Sequence, residues 1–204
     1  MSALPLRPST SSGRPEPVEG CRPWLGVASI ALAATLIAAP GIAAGNGPDV
    51  ASDVAVKAAF IYNFAKFAEW PALLPGAPIV VCIVGDVRIA AALVETVRGQ
   101  NISGHALEVW RPQDTTGWRV CHVLFIAEAE TRRAADGLGG IKTLPVLTVS
   151  DSKGFAQAGG IIETYVEGGR MRFAINVDAA ERSGLHLSSR LLGLAKVIRD
   201  VHVQ

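Results

Sequence analysis

Few residues of this chain have the type and spacing that catalysis or metal binding requires. The four histidines, His105, His122, His186 and His202, are scattered, whereas metal sites favour His, Cys and carboxylates at helical or hairpin spacing. The sequence contains neither a G-x-S-x-G nucleophile elbow nor a G-x-x-x-x-G-K-[ST] phosphate loop. We therefore expect no metal, no cofactor and no nucleotide, and an enzyme is the least supported function.

Asp151 and Ser152 follow a predicted buried strand, where α/β proteins often place catalytic or binding groups. A cap at the start of a helix explains both residues more simply, because Asp and Ser accept hydrogen bonds from free backbone N–H groups. Only a cluster of His, Asp or Glu assembled by the fold would revive an enzymatic hypothesis.

The N-terminal segment has the pattern of a secretory signal. Residues 25–39 form an uncharged apolar run between Arg22 and the small residues that follow Pro40. A membrane-spanning helix would need about 20 apolar residues, and an uncleaved anchor is the alternative. Residues 1–20 are rich in Pro, Ser and Gly and are expected to be disordered. We expect residues 1–44 to be a disordered N-terminus and a cleaved signal peptide, followed by one exported domain at 45–204.

Cys82 and Cys121 lie in the expected exported domain, whereas Cys21 precedes the apolar run. In an oxidising compartment two cysteines of a small domain usually pair. Two buried free thiols are the alternative. Neither interpretation makes them catalytic, because the sequence has no C-x-x-C motif.

The exported domain carries no net charge, since 16 Lys and Arg balance 16 Asp and Glu from residue 45 onward. A nucleic-acid-binding protein needs clustered positive charge to replace counterions. We therefore expect neither DNA nor RNA as a partner.

Apolar residues at helical and strand spacing predict alternating helices and strands in this domain. The predicted strands are Ile79–Gly85, Leu107–Arg111, Cys121–Ala127, Pro145–Asp151 and two alternating runs that flank Gly168 and Gly169. The predicted helices are Asp53–Trp70, Val87–Arg98 with Asp86 as its cap, Glu128–Leu138, a short helix at Gly154–Gln157, a turn at Asp178–Ser183, and Arg190–His202 capped by Ser188 or Ser189. This order predicts an α/β fold: a mixed, mostly parallel sheet with helices on both faces and a C-terminal antiparallel hairpin.

The first predicted helix carries aromatic residues that favour either the core or an interface. Phe60, Phe64 and Phe67 share a face, and Tyr62 and Trp70 lie nearby. Such a face usually packs in the core, and a dimer or partner surface is the alternative.

A second set of candidates is polar. Arg172 lies in the predicted hairpin, and Ser188, Ser189 and Arg190 begin the last predicted helix. A solvated face and a helix cap explain them, although a small polar ligand could bind at the helix N-terminus.

The chain resembles the YfiR-like family over nearly the whole expected domain. Each segment of the resemblance is weak alone, and their order makes the match specific. The matching segments are AFIYNFAKFAEWP at 59–71, CHVLFIA at 121–127, LPVLTVSD at 144–151, GGRMRFAIN at 168–176 and GLHLSSRLLGLAKVI at 184–198.

The resemblance implies a periplasmic regulator that binds the periplasmic sensor part of an inner-membrane diguanylate cyclase and keeps it inactive. In such a system an outer-membrane lipoprotein can sequester the repressor, so that cyclic di-GMP rises and biofilm forms. Another receptor, such as a histidine kinase, is an alternative target. A small-molecule binding module with a pocket beyond the strand ends is the rival function.

The resemblance also implies dimers and disulfides. Cys82 and Cys121 match cysteines at the ends of two central strands in such proteins. A second, downstream pair of some relatives is absent here, because Gly154–Glu163 contains no Cys. Redox switching through that second pair therefore does not carry over to this chain.

Overall fold

The computed structural model describes residues 48–71 and 73–200. The predicted signal segment and the end of the last predicted helix lie outside the described residues. The helices are α1 Pro48–Lys66, α2 Val87–Val97, α3 Thr131–Gly139, α4 Val177–Arg182 and α5 Ser189–Leu192, with 3-10 helices at Thr115–Val120 and Glu128–Glu130. The strands are β1 Ala68–Glu69, β2 Ile79–Val84, β3 Asn101–Ile102, β4 His105–Trp110, β5 Val123–Ile126, β6 Leu147–Ser150, β7 Ile162–Glu167, β8 Arg170–Asn176, β9 His186–Leu187 and β10 Lys196–Ile198.

Eight of the described strands form one mixed sheet in the order β10-β8-β7-β6-β5-β2-β4-β3. Strands β4, β2, β5, β6 and β7 run parallel to one another, whereas β8 is antiparallel to β7 and β3 is antiparallel to β4. β1 and β9 form a separate two-stranded antiparallel sheet. The prediction of a mixed, mostly parallel sheet is confirmed.

Helices cover both faces of the sheet because the central strands are apolar on both sides. In β2, Val81 and Ile83 belong to the apolar core that includes residues of α1, α2, α4 and α5, whereas Val80 and Cys82 belong to the core that includes residues of α3 and of the 3-10 helix with Trp118. Successive side chains of a strand point to opposite faces, which explains the division. We call these sides the α1 face and the α3 face.

The C-terminal hairpin is built as the paired glycines predict. Gly168 and Gly169 have φ values of 57° and 71°, the conformation that a tight hairpin turn requires and that glycine adopts without strain. β7 and β8 pair from Ile162 with Ile175 through Glu167 with Arg170. The hairpin extends past the carboxyl end of β6, whose last residue Ser150 pairs with Glu163.

The last helix is much shorter than the sequence predicts, and a strand replaces its second half. Ser188 caps α5 as predicted, since its side chain accepts from the Leu191 N–H at 3.2 Å, but α5 ends before Gly193. Lys196–Ile198 instead pairs in parallel with β8. Glycine inside a helix costs about 1 kcal/mol relative to alanine, and the sheet offers the following backbone groups other partners.

Two further elements differ from the prediction. The segment Gly154–Gln157 forms turns, not a helix, because Gly154 and Gly159 adopt positive φ values of 83° and 97°. α1 ends at Lys66 and not at Trp70, because Ala68 and Glu69 pair with β9. Within the described residues, no helix is long and apolar enough to cross a bilayer.

Candidate functional site

A disulfide joins Cys82 of β2 to Cys121, which lies just before β5, and their Cα atoms are 5.8 Å apart. The predicted pairing is confirmed. Both residues are buried together with Trp118 in the core of the α3 face. Because both cysteines are buried, at 0 % and 3 % exposure, the bond is a structural cross-link between neighbouring central strands and is largely protected from thiol exchange in the folded domain.

His122 fills a gap in the hydrogen-bond ladder between β2 and β5. The Val80 N–H donates to His122 Nδ1 at 3.0 Å, and the His122 N–H donates to the Val80 carbonyl at 2.8 Å. On the α1 face the Trp70 indole N–H donates to the His122 carbonyl at 3.2 Å, and the two rings meet edge to face. Cys121 and His122 therefore point to opposite faces, as strand alternation predicts.

A ring that accepts a hydrogen bond at Nδ1 is neutral and carries its proton on Nε2. Partial burial, and to a lesser degree the charge of the nearby His105, lowers the pKa of His122 below its ordinary value of 6.5. Protonation at Nδ1 would remove the acceptor of the Val80 N–H. His122 therefore stabilises this part of the sheet in its neutral form.

The free energy of unfolding should fall as the pH drops below 6.5. In this window the unfolded chain takes up a proton at His122 and the folded chain does not, so acid favours unfolding. Urea denaturation over a pH series measures the slope. The His122→Asn variant keeps an acceptor that does not titrate, and it should show a shallower decline. Equal slopes for the two proteins would contradict the role of His122.

Phe60 and Phe64 pack α1 against the hairpin. Their ring centroids lie 6.0 Å and 5.1 Å from that of Phe173 in β8, and 5.8 Å from each other, all in edge-to-face geometry. Phe64 is 1 % exposed, whereas Phe60 is half-buried. Phe64 is thus a core residue, and Phe60 lies at the margin of the core.

The remaining aromatic residues divide in the same way. Trp70 is buried in the core of the α1 face, whereas Phe67 and Tyr62 are half-buried. The Tyr62 hydroxyl is 3.5 Å from Gln100 Oε1, just beyond α2. Of the five predicted residues, Phe60, Tyr62 and Phe67 are thus accessible to a partner, and their role in binding stays a prediction.

An exposed apolar stripe runs along one flank of α1. Val56 and Phe60 lie on this flank at i and i+4, and Phe67, the residue after α1, continues it at i+11. Val166 of β7, next to the Thr164 and Phe173 pair on the α1 face of the hairpin, is 65 % exposed. We call these four residues the α1 stripe. Helical spacing in the sequence indicates the first three, whereas Val166 is grouped with them because it lies on the same face of the hairpin as Phe173, which packs on Phe60.

The four predicted polar residues do not form one site. Ser188 caps α5, and Ser189 and Arg190 are exposed on the same single turn. Arg172 is exposed on the hairpin, with its Nε 4.0 Å from Glu167 Oε2. In addition to capping α5, Ser188 donates its backbone N–H to the carbonyl oxygen of Phe67, just beyond the C-terminal end of α1. Within the described contacts none joins Arg172 to the α5 residues, and their ligand-binding role stays a prediction.

An ion-pair network at the carboxyl edge of the sheet is not evident from the sequence. Lys57 Nζ lies 3.0 Å from Asp53 Oδ2 and 2.9 Å from Asp151 Oδ2. Burial opposes the charge of Lys57, but the two carboxylates outweigh burial and raise its pKa. Asp151 Oδ1 also accepts from the Glu128 N–H at 2.7 Å, although the short helix predicted to follow Asp151 and Ser152 does not form. The network fixes α1 to β6 and to the turn before α3.

The described histidines do not share hydrogen-bond partners, although His105 lies near His122. His105 Nδ1 is 2.7 Å from the Ala77 carbonyl oxygen, His186 is exposed in β9, and His202 lies outside the described residues. Among residues 48–71 and 73–200, no three His, Cys, Asp or Glu side chains are grouped so that they could hold a metal ion.

A protein-family model described as DUF4154: YfiR/HmsC-like matches residues 54–196. The match begins in α1 and ends at the first residue of β10, so it covers nearly the whole described fold. Proteins of this family are periplasmic regulators of cyclic di-GMP signalling, and they are regulatory, not catalytic, proteins.

Proposed function

Because this chain belongs to the YfiR/HmsC-like family, we propose that it binds the periplasmic sensor part of an inner-membrane diguanylate cyclase and keeps that enzyme inactive. The family match over residues 54–196 is the observation that carries the proposal. The protein acts after export, in the periplasm, and releasing it from the cyclase raises cyclic di-GMP.

The α1 stripe is the surface that we assign to the cyclase. Val166 is 65 % exposed and Val56 is 37 % exposed. The rings of Phe60 and Phe67, the other two residues of the stripe, are half-buried. Apolar and aromatic side chains that become fully desolvated supply most of the binding energy of a protein interface. The firm packing of Phe60 on Phe173 holds the stripe in one conformation, so little side-chain entropy is lost on binding.

Repression follows from a difference in affinity. A repressor shifts a two-state enzyme only by the amount that it prefers the inactive state over the active one. Moving the cyclase from 99 % active to 99 % inactive requires a preference of about 5.5 kcal/mol. A few well-packed apolar contacts can supply that difference.

Two further partners follow from the same proposal. An outer-membrane lipoprotein would sequester the protein and so release the cyclase. A second copy of the chain would form a homodimer. Tyr62 lies on the flank of α1 opposite the stripe, and we assign it to the homodimer contact, which leaves the stripe open to the cyclase.

Binding of the exported domain to the purified periplasmic segment of a membrane cyclase tests the proposal. The Phe67→Glu and Val166→Glu variants should each bind about tenfold more weakly or worse, because a carboxylate would be buried without a partner. Val94→Glu is the matched control: Val94 is 43 % exposed on α2, outside the stripe, and this variant should bind like the wild type.

Equal binding by all four proteins would exclude the α1 stripe but not the cyclase as target. A folded domain that binds no cyclase segment, and captures no membrane receptor from solubilised envelopes, would overturn the proposed function and favour the small-molecule alternative. Thermal unfolding of each variant establishes that it is folded.

A further inference from the structure

A cavity of about 320 Å³ lies beside β6 on the α3 face, away from the α1 stripe. Val146, Thr148 and Ile161 line it on the side of the sheet, and Leu138 and Phe155 line it opposite. Small-molecule sites occupy roughly 300–1,000 Å³ and are lined mainly by apolar groups with a few polar ones. The cavity is therefore large enough for a compact organic ligand.

The turn between β6 and β7 forms a firm wall of this cavity. The Gly160 N–H donates to the Phe155 carbonyl at 3.0 Å, and the Ala158 N–H donates to the Gly154 carbonyl at 2.9 Å. A Cβ on Gly160 would lie 2.1 Å from the Phe155 ring, so only glycine permits this packing. Phe155 is itself buried. The wall is preformed and needs little ordering when a ligand binds.

The charged residues that line the cavity are all basic, whereas carboxylates such as Asp200, Glu128 and Asp151 lie outside its lining. Lys142, Lys153 and Arg182 line it, and none of the described lining residues is Asp or Glu. Arg182 is paired with Asp200, so its charge is largely compensated. Lys142 and Lys153 are exposed, and the described ion pairs include neither of them. The mouth of the cavity thus favours an anion.

Two hydroxyl groups, those of Thr148 and Ser183, make hydrogen bonds that fix backbone groups at the cavity. Thr148 Oγ1 accepts from the Ile161 N–H at 3.0 Å, which leaves the hydroxyl proton of this buried threonine to donate. The Ser183 hydroxyl lies 3.1 Å from the Lys142 carbonyl oxygen, a contact that holds the backbone of Lys142 against α4. Thr148 can therefore meet a ligand inside the cavity while Lys142 is kept at its mouth.

We propose that this cavity binds a small organic carboxylate, with its apolar body between α3 and the wall turn and its carboxylate facing Lys142 and Lys153. A phosphate or acetate ion would lack the body that fills the apolar part, and an uncharged analogue would lack the attraction of the lysines. The proposal goes beyond cyclase binding and does not depend on it, because no residue of the α1 stripe lines the cavity.

Calorimetric titration of the exported domain with three probes tests the ligand class. Phenylacetate, 3-phenylpropanoate and hexanoate combine an apolar body with a carboxylate, and at least one of them should bind with a dissociation constant of about 1 mM or lower. Phenylacetamide, which has the shape of phenylacetate without its charge, should bind about fivefold more weakly or worse. Acetate and inorganic phosphate should not bind in this range.

Variants locate the site. Combined Lys142→Gln and Lys153→Gln should weaken carboxylate binding about five- to tenfold, and Ala135→Trp, which places an indole on the cavity side of α3, should abolish it. Combined Arg132→Gln and Arg133→Gln is the matched control, because both residues are exposed on α3 outside the cavity lining, and it should bind like the wild type. Absence of binding by all three carboxylates, equal binding of phenylacetamide, or equal losses in the control and the lysine variant would overturn the proposal.

Discussion

Truncation of Phe64 to alanine should lower the free energy of unfolding by about 3–5 kcal/mol. The Phe64 side chain is 1 % exposed, and its ring contacts both Phe60 and Phe173 in edge-to-face geometry. Its removal deletes buried apolar surface and leaves a cavity between α1 and the hairpin, which the surrounding side chains fill only in part. Since domains are stable by about 5–15 kcal/mol, the loss is a large fraction of the total.

The matched control for this change is Phe67→Ala. Phe67 has the same side chain and follows the last residue of α1, but it is only half-buried, so its truncation should cost much less, about 1 kcal/mol. Urea denaturation at neutral pH measures both variants. Equal losses would show that Phe64 is not the anchor of α1. The comparison also separates the core from the interface, because only Phe67 is expected to reduce cyclase binding without a large loss of stability.

Replacement of Cys82 and Cys121 together by alanine should destabilise the domain by about 4 kcal/mol. The disulfide closes a loop with a sequence separation of 39 residues, and cross-linking a loop of this length removes much of the conformational freedom of the unfolded chain. Alanine is preferred to serine in this test, because a serine hydroxyl would be buried in the apolar core of the α3 face.

Reduction of the wild-type protein provides the control for the cysteine variant. Reductant added to the folded wild-type protein should reduce the disulfide slowly, because both cysteines are buried. Wild-type protein that is unfolded and then refolded in reductant should have about the same free energy of unfolding as the double variant. A loss below about 1 kcal/mol in both cases would mean that the reduced strands are already held in place by the sheet. Denaturation curves recorded with and without reductant distinguish these outcomes.

The central strands were predictable because their sequence signals are local. The short, β-branched apolar runs that form β2, β5 and β6 favour buried strands. The Gly168 and Gly169 pair favours a tight turn, and Asp86 caps α2 by accepting from the Arg88 N–H two residues later. In each case the deciding interaction lies within a few residues of the signal.

The incorrect or undecided predictions concern residues whose partners are distant in the chain. Lys196–Ile198 continues a run that was predicted as one helix. In the fold, however, this segment forms a strand whose hydrogen-bond partners lie in β8. Helical spacing groups Phe60, Phe64 and Phe67 on one face, but their different burial depends on residues distant in the chain, such as Phe173, which packs on Phe64. Lys57 and Asp151 pair across 94 residues, and the cavity exists only where the wall turn meets α3.

The contacts of α1 at both edges of the sheet have a consequence for its dynamics. Lys57 pairs with Asp151 at the carboxyl edge, and Trp70, just beyond the helix, is hydrogen-bonded to His122 at the amino edge. Opening the helix between Lys57 and Trp70 would break one or both of these part-buried contacts, so the backbone amides of residues 61–66 should exchange with deuterium only when the whole domain unfolds. A partner that binds α1 would then bind a helix that is already ordered and fixed to the rest of the domain. No part of the binding energy would be needed to order that helix first.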